Sequence, residues 1–148
     1  MRALLLLPLL LATPALAAGP DGASIYKRCS ACHLPTGAGV PGAYPMLGAN
    51  FKSLAASPAG RTYLILVIVK GLAGPITVEG KSFRGVMPAQ VLDDASIAAT
   101  LNHVGVNVAM AGKGFRPFSA AEVAAARASG AALNAAAVGK LRVQALGR

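Results

Sequence analysis

Apolar and polar positions divide the chain into short helical stretches separated by glycine- and proline-rich segments. Residues 21–29 place apolar or aromatic side chains at Ile25, Tyr26 and Cys29, behind Asp21, a residue type suited to an N-cap. This predicts a helix running into residues 29–33. From Leu34 to Asn50 the period is lost, and Pro35, Pro41, Pro45 and the intervening glycines predict an irregular loop. Residues 51–54 suggest a short turn. Ser57-Pro58 then gives an N-cap followed by proline at the first helical position.

The apolar run 61–70, Arg61-Thr62-Tyr63-Leu64-Ile65-Leu66-Val67-Ile68-Val69-Lys70, suits a buried strand or a short buried helix, and periodicity does not separate them. The Ser-Pro start and the Gly71 stop favour helix. Residues 71–88 read as loop, with Gly71, Gly74, Pro75, Gly80, Gly85 and Pro88. Residues 93–104 predict the next helix, its acids Asp93 and Asp94 at the end where they complement the dipole. Beyond Gly105, Ser119-Ala120-Ala121-Glu122 is a capping box opening an alanine-rich helix to about Ser129, and a second helix is expected over 131–146. Alanine favours helix but buries little area, so residues 107–148 are expected to form a helical extension that docks loosely. No internal repeat is evident.

The first residues carry a different pattern. Met1-Arg2, a short leucine-rich core and Pro14-Ala15-Leu16-Ala17-Ala18 have the layout of an export signal over 1–17, with cleavage expected after Ala17. The apolar run is about half the ~20 residues a membrane-spanning helix needs, and Pro8 interrupts it. A periplasmic location is therefore expected. Of 148 residues, 14 are Lys or Arg and 5 are Asp or Glu, giving a net charge of +9; the leader carries only Arg2, so the processed chain stays strongly basic. Export, and the lack of interleaved aromatic and basic residues, exclude nucleic acid as a partner.

Candidate chemistry concentrates in Cys29-Ser30-Ala31-Cys32-His33, which holds both cysteines of the chain. Cysteines at i and i+3 lie on one face of a helical turn, and the adjacent histidine can face the same ligand, the signature of covalent c-type haem attachment. The same Cys-x-x-Cys spacing serves redox dithiols and zinc sites. A dithiol of the thioredoxin type expects a βαβ setting, which the pattern lacks. Zinc wants four ligands, and the one further histidine is His103. A disulfide here would close almost no loop and would be strained.

The order of parts resembles that of class I monohaem c-type cytochromes over about residues 20–106. The similarity rests on Cys29–His33, on Gly42-Ala43-Tyr44-Pro45-Met46-Leu47-Gly48 and on Gly85-Val86-Met87-Pro88-Ala89. Gly74-Pro75-Ile76-Thr77-Val78-Glu79-Gly80 also resembles small bacterial cytochromes that serve periplasmic dehydrogenases. The resemblance implies an all-α cytochrome c fold of three or four helices around one covalent haem c, in a domain over 18–106. It further implies an electron carrier rather than an enzyme, with His33 and Met87 as axial iron ligands and Cys29 and Cys32 as attachment points. Pro45 matches the residue whose carbonyl accepts from the proximal histidine, and Gly22 and Tyr26 match residues at the crossing of the first and closing helices. His103 stands where the family has an aromatic residue.

Met87 also suits this role by its own chemistry: a thioether paired with histidine is a known haem ligation, and a Gly/Pro-punctuated loop lets sulfur reach iron. A core methionine filling a gap is the competing reading. Met46 is expected to pack in the core. Lys27 and Arg28 precede one motif and Lys81 and Arg84 the other, which suggests docking to an acidic surface of a redox partner, or an ordinary solvated face. Two other functions stay open: a cytochrome subunit of a dehydrogenase or oxidase complex, and a haem enzyme or gas sensor with an open sixth site. The basic extension, with Lys140, Arg142 and Arg148, is a further candidate contact for a complex or for lipid headgroups.

Overall fold

The computed structural model describes residues 19–147. The expected leader and its cleavage point fall outside them, as does Arg148. The described chain is built from six helices, α1 (Gly22–His33), α2 (Gly48–Ala55), α3 (Pro58–Lys70), α4 (Asp94–His103), α5 (Ala120–Ser129) and α6 (Ala135–Ala145), and four short strands, β1 (Leu72–Ala73), β2 (Ile76–Val78), β3 (Lys81–Phe83) and β4 (Val86–Met87).

The helix starts follow local chemistry. Asp21, Ser57, Asp93, Ser119 and Asn134 all have extended backbone, and each side chain accepts a hydrogen bond from a first-turn amide. Residues 61–70 are helical, as the Ser57-Pro58 start favoured, and Gly71 stops the helix at φ +77°. The expected turn at 51–54 is part of a full helix, α2. Residues 71–88, read as loop, hold two small antiparallel pairs, with Leu72 opposite Met87 and Ile76 opposite Phe83. Strands of two or three residues are too short for alternation to reveal.

Helix α1 crosses α4 at Gly22. A β-carbon there would lie 2.1 Å from the Ala99 carbonyl oxygen, so the crossing needs glycine's missing side chain. Near the same crossing the rings of Tyr26 and His103 lie 5.3 Å apart between centroids. His103 thus occupies the position expected of an aromatic residue and packs there. Beyond it the chain continues as a π-helical turn, Val104–Val108.

The C-terminal segment does not dock loosely. Val123 of α5 and Val138 of α6 are fully buried, the first in a cluster with Tyr26, Phe51, Ile97 and Phe118, the second in a cluster with Leu54, Tyr63, Leu66 and Phe83. Each such side chain contributes roughly 1.5–3 kcal/mol. Polar clamps reinforce the packing. Arg61 of α3 is buried and donates to both carboxylate oxygens of Glu122 and to the carbonyls of Arg116 and Pro117. Asn102 exchanges two hydrogen bonds with the Phe118 backbone. The expected capping box forms by half: Ser119 Oγ accepts from the Glu122 amide, while the Glu122 carboxylate turns to Arg61. Alanine at most exposed positions disguised the few buried residues that anchor these helices.

Candidate functional site

Between α1, α2, α3 and the strand region lies a cleft of about 1160 Å³ including its mouth. Most of its wall is apolar: Leu54, Leu64, Val67, Ile68, Phe83 and Leu101 are among the lining residues. Such a cavity suits a large flat ligand that is mainly hydrocarbon.

The last turn of α1 brings Cys29, Cys32 and His33 to the cleft. Cys29 and Cys32 are both half-buried and form no disulfide with each other, and burial pushes the Cys29 thiol above its usual value. Among the described residues no group of three or more His, Cys, Asp or Glu side chains gathers, so the zinc reading has no ligand set. His33 Nδ1 lies 2.9 Å from the Pro45 carbonyl oxygen. That contact assigns Nδ1 as the protonated nitrogen and leaves Nε2 as a free donor for a metal. Burial lowers the His33 pKa, with the Pro45 bond opposing it, so the neutral, ligand-competent imidazole is favoured.

Met87 reaches the cleft from β4, and Met46 lines it as well. Met110 stands outside, 68% exposed. Tyr26 and Pro45 also line the cleft, whereas Gly22 acts at the α1–α4 crossing.

One lining residue was missed by sequence reasoning. Arg142 of α6, expected on a basic outer face, is 5% exposed and turned inward. Its Nε donates to the Thr77 carbonyl at 2.9 Å, its Nη2 donates to Asn50 Oδ1, and its guanidinium carbon lies 5.8 Å from the Tyr63 ring centroid. Tyr63 is buried too, which pushes its phenol pKa up, and Arg142 opposes that shift. No carboxylate among the described residues pairs with Arg142. A buried cation at an apolar cleft with no internal counter-charge calls for an acidic ligand. Haem fits on three counts: an apolar ring for the walls, vinyl groups for the thiols, and propionates for Arg142. A tail with basic residues and no acid after Glu122 was the only sequence signal, and it did not tell inward from outward.

No family model matches the chain. Two curated relatives, both named cytochrome c-552, come from Thermus thermophilus and from a named strain of that species. Each is 46% identical over 111 residues, which is 73% of this chain and 85% and 75% of the two relatives. The similarity extends well past the attachment motif. The chain belongs to the class I c-type cytochromes, haem-based electron-transfer proteins that are carriers rather than enzymes.

Proposed function

We propose that this cytochrome holds one haem c covalently through Cys29 and Cys32, ligates its iron with His33 and Met87, and works in the periplasm as a carrier between redox proteins. The observation that carries the reading is the convergence of the Cys29-Cys32-His33 turn and Met87 on one apolar cleft.

When bound, the haem supplies iron that accepts and returns one electron. The chain's own residues set the conditions. Pro45 accepts from His33 Nδ1, which orients the ring and makes the imidazole a stronger donor. Met46 directly follows that proline and belongs to the wall beside His33. Met87 comes from a separate strand, which favours it as the second ligand; a thioether there raises the potential. With His33 and Met87 both holding the iron, no position would be left open for a substrate, in keeping with a carrier. Arg142 would balance propionate charge inside the fold.

Lys27, Arg28, Lys81 and Arg84 are all exposed, and Tyr44 and Val86 at the cleft are 41% and 70% exposed. An apolar contact near the cofactor with basic residues around it suits a redox partner with an acidic docking surface. The export-type leader supports the periplasm, where c-type haem is attached. Among the described residues no helix is long and apolar enough to cross a membrane. The burial of α5 and α6 in the chain's own core favours a free carrier over a subunit docked through its tail.

Met87→Ala tests the ligation. It should leave haem covalently attached, open the sixth site to carbon monoxide and lower the potential. An unchanged spectrum removes Met87 as a ligand.

A further inference from the structure

Leu34 directly follows His33 and ends α1 with φ +63° and ψ +158°. This region of backbone space is occupied essentially by glycine, and a leucine there is strained. Its side chain is only partly covered, being 37% exposed, so burial offsets the strain only in part. The backbone around it is held by hydrogen bonds. The Leu34 amide donates to Ser30 O at 3.0 Å, and its carbonyl accepts from the Gly37 amide at 3.0 Å and from Tyr26 Oη at 2.9 Å. Tyr26 is 4% exposed and wedged against His103, so its hydroxyl has a fixed position.

We propose that Tyr26 is a positioning residue for the proximal ligand: its hydroxyl latches Leu34 in a strained conformation and thereby sets how His33 meets Pro45 and the iron. The proposal rests on the reading above that His33 binds iron. His33 and Leu34 share a peptide unit, so relaxing one turns the other. Without the latch, Leu34 moves toward ordinary backbone space, His33 rotates, and the Nδ1 bond to Pro45 lengthens. A weaker bond makes the imidazole a poorer donor and disfavours the ferric state. The potential therefore rises. The latch also links the α1–α4 crossing to the cofactor, since the Tyr26 ring packs on His103 and its hydroxyl bonds Leu34.

The test is a double-substitution cycle on the haem-loaded protein, read as reduction potential with the thioether-to-ferric band monitored throughout. Tyr26→Phe should raise the potential while keeping that band. In a Leu34→Gly background, where no strain needs holding, the shift caused by Tyr26→Phe should fall roughly twofold or more. Equal shifts in both backgrounds, or none in either, overturn the latch. A second arm needs no tyrosine variant: Leu34→Gly should raise the denaturant midpoint of the ferric protein, whereas Leu34→Ala, equally strained, should not. Equal midpoints overturn the proposal. If the unsubstituted protein lacks a His/Met spectrum, the ligand assignment fails by itself, and the denaturation arm still decides whether Leu34 is strained.

Discussion

Arg61 and Glu122 meet across 61 positions of sequence in a two-pronged pair, Nε to Oε1 at 2.5 Å and Nη2 to Oε2 at 2.6 Å. The Arg61 guanidinium lies 3.7 Å from the Phe118 ring centroid, and the pair ties α5 and the segment before it to α3, which walls the cleft. Glu122→Ala leaves a buried guanidinium with two carbonyls and the Phe118 ring but no counter-charge, and should cost about 3 kcal/mol. Urea unfolding of the haem-loaded protein reads this directly.

The same pair sets an acid limit. Arg61 holds the Glu122 carboxyl below its ordinary value of 4.5. A depressed folded-state pKa means the stabilisation is fully present above the unfolded value and is lost as pH falls through the folded one. Thermal midpoints should therefore drop on acidification below about pH 4.5. In Glu122→Gln the midpoint should start lower at neutral pH and fall less steeply in acid.

At the helix crossing, Gly22→Ala should be costly although alanine favours helix. The new β-carbon would meet the Ala99 carbonyl 2.1 Å away, and both are backbone-bound, so α1 must shift from α4. Overpacking of this kind costs roughly 1–3 kcal/mol. The urea midpoint should fall while haem remains attached through Cys29 and Cys32.

Arg142 makes an electrostatic prediction. Arg142→Gln removes a buried positive charge from the cleft, which favours the ferric state and lowers the potential. A charge so placed is worth on the order of 1 kcal/mol, or roughly 40 mV for one electron. Arg142→Lys should lie between, since it keeps the charge and loses the planar fork that reaches Thr77 and Asn50 together. Voltammetry of the three proteins gives the order.

The parts legible in the sequence are those with local causes. Ser57-Pro58 announced α3, Asp93 announced α4, and Cys29–His33 with Pro45 and Met87 picked out residues that line one cleft. Residues whose role depends on distant partners were hidden. Glu122 looked like the second half of a capping box, and only Arg61, far away in sequence, explains where its carboxylate goes. Arg142 looked like one charge on a basic tail, because nothing local shows that α6 packs with that face inward. The strands at 72–87 escaped because two or three residues are too few for an alternation to stand out. The strain at Leu34 was equally invisible, since leucine gives no sign of left-handed backbone.

A covalent haem held between His33 and Met87 has a distinctive optical signature. The most direct measurement is the visible spectrum of the oxidised and reduced protein, purified from a host that matures c-type haem. The protein should show a covalently attached low-spin haem whose ferric form has a far-red thioether charge-transfer band and whose ferrous form does not take up carbon monoxide rapidly. A ferric spectrum without that band, together with rapid carbon monoxide binding, would contradict it.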